Sequence, residues 1–325
     1  MIPVYNVFIN NLQIVGDCWM EKEFDVVVVG AFGVDTYVFL SDSEFDVSVE
    51  GQFSENVDSV GLAGGYSSIA FARMGLKTAV IGYVGDDHNG RFIRETLDSH
   101  GIITRGLQID PYGTKRSINF IFPDGRRKSF YDGKGSMYTR PELDFASSII
   151  SRSSLAHVNI VNWARFLLPS IRKQGLTLSC DLQDIIDPDD PYRRDFANSA
   201  DILFFSSVNK DDPAPIIRKY LSEHPNVIVV SGMGNRGCSV GIGKNVTRFP
   251  AVDFGEPVVD TTGAGDSLAA GFLCSWLFQG HSIEDSILRG QIAARYACST
   301  KANSSGLITM QELNHVFDSI RGLSL

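Results

Sequence analysis

Asp266 is the residue whose setting points most clearly to chemistry. It follows three small residues, Gly263, Ala264 and Gly265, in the stretch VVDTTGAGDSLAAGF (258–272). Before it, Pro257, Val258 and Val259 read as the end of an extended segment. After it, Leu268, Phe272, Leu273, Trp276 and Leu277 recur at helical spacing. Small residues at a strand-to-helix turn let a ligand come close to the backbone, and the helix start offers unpaired N–H groups and a partial positive charge. That combination holds anions. A carboxylate placed there either works on something next to the anion or serves as an N-cap behind a tight turn.

Other residues carry weaker signals of the same kind. Asp35 lies just past the strand-like run FDVVVVG (24–30), at the strand's C-terminal edge, where α/β proteins bind ligands. A solvated loop aspartate is the plainer reading. Gly64 and Gly65 in GLAGGYSSIAFARMG (61–75) precede a helical pattern, which Ser67 or Ser68 could equally cap, and VSGMGNRG (230–237) is a third glycine-rich turn after a buried strand. A dinucleotide fingerprint requires G-x-G-x-x-G at the first strand-to-helix turn. Gly30 and Gly33 supply only G-x-x-G.

These turns need a frame. Apolar runs at 24–30, 78–84, 156–161, 176–180, 202–205 and 227–230 alternate with helical patterns, which predicts a mainly parallel sheet with helices on both faces. Two polar, alternating stretches, about 36–60 and 108–131, interrupt the order. The second reads as a hairpin around Pro123-Asp124-Gly125. Together they would form a small sheet projecting from the main domain, either a lid over a cleft or a contact between two copies.

The bulk composition narrows the function. A hydrophobic content of 43% fills a core, and a net charge of −9 argues against a nucleic-acid partner. The five cysteines, Cys18, Cys180, Cys238, Cys274 and Cys298, are scattered without a CxxC, and the six histidines show no metal-ligand spacing. Residues 1–23 are expected to be an extension lacking the pattern of a signal peptide, and no run reaches the roughly 18 apolar residues of a membrane span. The expected setting is cytoplasmic, with no membrane partner.

Two stretches in order along the chain, GGYSSIAFARMGLKTAVIGYVGDDHNG and DTTGAGDSLAAGFL, resemble the two motifs of the PfkB (ribokinase-like) carbohydrate kinases. The resemblance spans nearly all of 24–310 and places the kinase domain at 24–325. It implies a ribokinase-like α/β fold, a central mostly parallel sheet flanked by helices with a small β-sheet lid. The implied activity is ATP-dependent transfer of the γ-phosphoryl group to a hydroxymethyl group of a sugar. Gly263, Ala264 and Gly265 would form the anion hole and Asp266 would be the general base, an assignment that suits a reaction governed by positioning and charge stabilisation.

By the same resemblance Asp35, Gly64, Gly65 and Ser68 would face the acceptor. Asn209, Gly232, Gly234 and Gly237, with Gly263 and Gly265, would line the ATP site, and 297–306 would border the adenine. Asp260 and Thr262 match positions that hold a monovalent cation, so the implied cofactors are ATP, Mg²⁺ and K⁺. Three departures stand out. Ser68 replaces an asparagine common in sugar kinases, Tyr66 replaces the ribokinase-type lysine, and the N-x-x-E element reads Ser206-Ser207-Val208-Asn209. The aromatic load of the hairpin, Phe120, Phe122, Phe130 and Tyr131, leaves a nucleoside acceptor as the second reading. The missing N-x-x-E pair motivates a weakly catalytic sugar or nucleotide sensor as the third. A homodimer through the lid is also expected.

Overall fold

The computed structural model describes residues 22–44, 48–124, 126–185, 187–301 and 304–322. The expected extension at 1–23 therefore lies almost wholly outside the described residues, as do Gly125 in the hairpin turn and residues 302 and 303. The main layer is a sheet in the order β13-β12-β11-β10-β9-β8-β1-β4-β5. Its strands are β1 (Phe24–Val29), β4 (Thr78–Val84), β5 (Leu107–Ile109), β8 (Ser153–Asn159), β9 (Thr177–Asp184), β10 (Ile202–Ser206), β11 (Ile228–Gly232), β12 (Cys238–Ile242) and β13 (Asn245–Phe249). Pairing is parallel from β5 to β11, and β12 and β13 add an antiparallel edge.

The continuous apolar strands are explained by burial on both faces. Val26 and Val28 point into one core with Phe32, Ile69 and Phe272, whereas Val27 and Val29 point into another with Trp163, Leu178 and Ile217. Helices α1 (Leu62–Arg73), α2 (His88–Ser99), α7 (Ala264–Leu273), α8 (Ile283–Ala297) and α9 (Met310–Arg321) cover the first face. The second is covered by α3 (Leu143–Ile150), α4 (Leu168–Lys173), α5 (Pro191–Ser199) and α6 (Ala214–Glu223).

The small sheet runs β3-β2-β6-β7, from β2 (Gly33–Leu40), β3 (Ser54–Gly61), β6 (Lys115–Ile121) and β7 (Arg127–Asp132). It starts at Gly33, earlier than the expected 36, and Leu107–Ile109 joins the main sheet instead of the lid because it pairs with β4. Two local expectations also change. Gly64 and Gly65 are not a turn but lie inside α1, where a Cβ on Gly64 would stand 2.6 Å from the Ala31 carbonyl oxygen. Residues 257–259 form no strand, and the Val259 and Asp260 N–H groups are tied to the Cys298 carbonyl at 2.7 and 3.3 Å.

Candidate active site

The start of α7 shapes one wall of the site. Gly263 is its N-cap, at a left-handed φ of 75°, and a Cβ there would stand 2.4 Å from the Tyr66 ring. Both facts require glycine. A Cβ on Gly265 would meet nothing within 4 Å, so the first turn opens onto free space with N–H groups that lack intrahelical acceptors. Asp266 is thus the third helical residue, not the cap.

One Asp266 carboxylate oxygen, Oδ1, accepts from the Ser67 hydroxyl on α1 at 2.7 Å. Ser67 Oγ in turn accepts from Asn159 Nδ2, at the end of β8, at 3.2 Å. Asn159 pairs in register with Asp181 on β9, which puts a second carboxylate on the same face of the sheet. Withdrawal from water raises the Asp266 pKa well above the ordinary carboxylate range, and the charge of Asp181 pushes it further, against the opposing Ser67 bond. Burial likewise raises Asp181, whose Oδ1 accepts from the Gln183 N–H at 2.8 Å.

The lid presents a polar inner face. Asp35, Ser117 and Tyr131 lie abreast on β2, β6 and β7, as do Tyr37, Asn119 and Ser129. Hydrogen bonds join Ser129 to Asn119 (2.6 Å), Asn119 to Ser117 (2.8 Å) and Ser117 to Asp35 (2.7 Å). Asp35 also accepts from the Leu62 N–H at 3.2 Å and the Tyr37 hydroxyl at 3.3 Å. Leu62 holds a positive φ of 57° at the start of α1. Three donors on a buried carboxylate leave it less free than the expected acceptor-facing residue. Burial still raises its pKa. The Tyr37 and Tyr66 hydroxyls stand 2.7 Å apart, and the Arg127 guanidinium reaches from the lid to the Thr262 hydroxyl at 2.5 Å.

Ser68 is corrected by the structure. It is fully buried and donates to the Gly65 carbonyl at 3.1 Å, because α1 turns it toward the core and its neighbour Ser67 toward Asp266. A polar atom that the sequence does not single out is Asn159 Oδ1, which is buried without a hydrogen-bond partner among the described residues, beside Gly30.

The remaining glycines gather past the C-terminal ends of β10 and β11. Gly234 and Gly237 take positive φ values of 60° and 90° in the turn between β11 and β12, and Gly232 is spared close contact, its nearest neighbour being Leu268. Arg236 in this turn donates to the carbonyls of Ser207, Val208, Lys210 and Asp211, fixing the loop that carries Asn209. Asn209 is exposed and donates to Asp184 Oδ2 at 3.1 Å, while Asp184 Oδ1 is buried and unpaired among the described residues. Asp260 Oδ1 accepts from the Thr262 N–H and hydroxyl at 3.0 and 2.9 Å, and its buried Oδ2 likewise has no partner there. Among the described residues no cluster of three His, Cys, Asp or Glu is placed to hold a metal, and no helix is long and apolar enough to cross a membrane.

A mixed sheet ending in this constellation has known counterparts. Residues 24–191 and 196–310 match the pfkB family carbohydrate kinase profile. The chain belongs to the pfkB family. It is 30% identical over 301 residues to the acarbose 7(IV)-phosphotransferase of Actinoplanes sp., covering 89% of this chain and 97% of that one. It is 26% identical over 324 residues to the 5-dehydro-2-deoxygluconokinase of Listeria monocytogenes, covering 90% and 95%. Among solved structures, a microbiome-derived acarbose kinase superposes with a TM-score of 0.83 at 31% identity, covering 90% of this chain and 99% of that one. The ribokinase of Arabidopsis thaliana, complexed with ribose and ATP, shares the fold with a TM-score of 0.76 at 20% identity, covering 90% and 98%.

This pfkB protein is therefore a carbohydrate kinase, a phosphotransferase that acts on an alcohol group, with the ribokinase-like fold expected from its motifs. The candidate site also draws in residues outside those motifs. Ser67 lies within the first motif, where its sequence context suggests only a helix cap. Asn159 ends β8 and Asp181 follows the apolar run 176–180 within β9, and a polar residue set against such a run is the signal both give. Arg236 and Arg127 gave none, since their contacts join segments distant in sequence.

Proposed function

We propose that this kinase transfers the γ-phosphoryl group of ATP to a hydroxymethyl group of a sugar, with Asp266 as general base. The observation that carries the reading is the Asp266 carboxylate itself. Ser67 fixes one of its oxygens, Oδ1, and on this reading Oδ2 is left for the acceptor hydroxyl. The first turn of α7 supplies the anion hole, its N–H groups and dipole countering charge that builds on the transferred oxygens. A base with a raised pKa takes a proton more readily than an ordinary aspartate. That position gains nothing in a pure sensor, and the half-buried carboxylate costs stability, so catalysis accounts for it better than binding alone.

The acceptor is a sugar carried on a larger glycoside. Two relatives near 30% identity are named for acarbose. The lid's inner row of Asp35, Ser117, Asn119 and Ser129 offers the hydroxyl-matching groups such a chain needs, and Tyr131, 71% exposed, stands at its rim. Gly64, Gly65 and Asn159 Oδ1 border the reacting ring. A nucleoside is second, resting on the lid aromatics. Phe120 and Phe130, however, pack edge to face 6.0 Å apart on the outer side of the lid.

Gly232, Gly234 and Gly237 let ATP approach the backbone. Asp184, braced by Asn209, would hold Mg²⁺ in place of the N-x-x-E pair; its unpaired buried oxygen fits a hard cation, which neutralises phosphate charge when bound. The orphaned Asp260 Oδ2, next to Thr262, fits K⁺, which would brace the loop before the anion hole. The lid's outer face, with Ile118 and Phe130 side by side and exposed, supports pairing of two copies; a monomer in light scattering at working concentration would refute that. ADP release measured over a panel of oligosaccharides, monosaccharides and nucleosides tests the acceptor class. Turnover confined to nucleosides would overturn the sugar reading.

A further inference from the structure

We infer that Ser67, aligned by Asn159, is the positioning residue that aims the Asp266 carboxylate at the acceptor hydroxyl. The inference rests on Asp266 being the base and adds what sets its orientation. Every donor and acceptor in the chain has a forced direction. An ionised carboxylate only accepts, so Ser67 must donate to Asp266 Oδ1 across the 2.7 Å contact. The Asn159 amide nitrogen only donates, so at 3.2 Å it occupies a lone pair of Ser67 Oγ and turns that hydroxyl's proton away from itself, toward Asp266.

Asn159 is anchored in turn. Its Nδ2 lies 3.4 Å from His157 Nε2, and His157 Nδ1 lies 3.1 Å from Ser179 Oγ. His157 is fully buried between the Phe71 and Phe204 rings, at 5.4 and 6.5 Å, and burial holds it neutral with a pKa lowered to about 3. A neutral imidazole with Nε2 as acceptor and Nδ1 as donor fits both neighbours. The result is a column running from Ser179 through His157, Asn159 and Ser67 to the base. Its members sit on β9, β8 and α1, elements of the main layer. A bidentate-capable carboxylate on the first turn of a helix otherwise rotates freely about its side-chain torsions. With Oδ1 fixed, Oδ2 has one direction.

Asp266 also feels the charges of Asp181 on β9 and Asp35 on the lid, and both oppose its ionisation; the Ser67 bond favours it. Removing the hydroxyl therefore has a signed consequence that lost packing does not. Ser67→Ala is expected to lower kcat roughly 10- to 100-fold, the range for a hydrogen bond to a charged group, with KM for ATP unchanged. It should also move the acid limb of the kcat/KM profile to higher pH. Ser67→Thr, which keeps the hydroxyl, should restore both in part. In an Asp266→Asn background Ser67→Ala should cost nothing more in kcat. Asn159→Ala should shift the acid limb in the same direction, which provides a second reading should the Ser67 variants fold poorly.

An unmoved acid limb in both Ser67→Ala and Asn159→Ala, or an equal loss of kcat in the Asp266→Asn background, would overturn the inference. The base assignment fails separately, if Asp266→Asn alone keeps most of its kcat.

Discussion

Replacing Asp266 with asparagine should do two opposite things at once. The amide keeps the shape and can still accept from Ser67, but it cannot take a proton, so kcat should fall by roughly 10²–10⁴-fold, equivalent to about 3–5.5 kcal/mol of barrier. Stability should move the other way. Burial and the Asp181 charge raise the folded-state pKa of Asp266 above its unfolded value. A group shifted in that direction stabilises the folded chain while protonated and loses that contribution as pH rises through the folded pKa. At neutral pH the wild-type carboxylate is therefore a burden that asparagine lacks. The variant should melt higher than wild type at neutral pH, and the gap should close as pH falls toward the ordinary aspartate value near 3.9. The competing reading treats Asp266 as an acidic residue in the first helical turn, stabilising through the helix dipole; it predicts a lower melting temperature at neutral pH and unchanged turnover. Initial rates from ADP release and melting curves at several pH values decide between them. A variant that keeps its kcat, or melts lower at neutral pH and not in acid, refutes the reasoning.

Three further outcomes follow from the same geometry. Gly263→Ala puts a Cβ 2.4 Å from the Tyr66 ring at a φ of 75°, so it should cost about 1–3 kcal/mol from backbone strain alone and depress kcat; a melting temperature unchanged within a degree would count against the packed turn. Asp35→Ala removes the acceptor shared by Ser117, Tyr37 and Leu62 and should weaken acceptor binding by about 1–3 kcal/mol, which calorimetry with a turned-over sugar would show; unaltered affinity in a folded variant removes Asp35 from the site. Rates in K⁺ should exceed those in a bulky organic cation, and Asp260→Ala should erase the difference; equal rates for the wild type would dismiss the cation.

The sequence was most legible where one local rule acts alone. The apolar runs read as buried strands because both faces of the sheet are covered, and Thr78–Val84 matches its expected bounds. The turn before α7 was legible because glycine at Gly263 answers a steric demand of the backbone. Gly64 and Gly65 were misplaced because the same residue type serves two ends. A glycine in a turn and a glycine that lets a helix settle onto a strand end look alike until the strand's neighbour is known, here the Ala31 carbonyl. Ser67 and Ser68 differ only by rotation about α1, and that rotation is set by tertiary packing against Val60 and Phe32, which no local pattern encodes.

The second carboxylate shows why sites are harder to read than folds. Asp181 and Asp184 both lie in LSCDLQD (178–184), where alternation makes one inward and the other outward in a regular strand. The structure breaks that alternation at Gln183, whose positive φ of 56° is unusual for a side chain of its size. The pairing of β9 with β10 shifts register at the same place, so that Asp184 instead of Gln183 comes abreast of Ser206. The kink brings Asp184 to Asn209 while Asp181 remains beside Asn159. Strain of that kind persists only where surrounding contacts over-determine it, and here the Asp181 carboxylate itself accepts the Gln183 N–H. One backbone irregularity thus turns Asp184 toward the Asn209 loop, three positions on from the Asp181 that lies abreast of Asn159. A strand pattern read from sequence has no way to contain it.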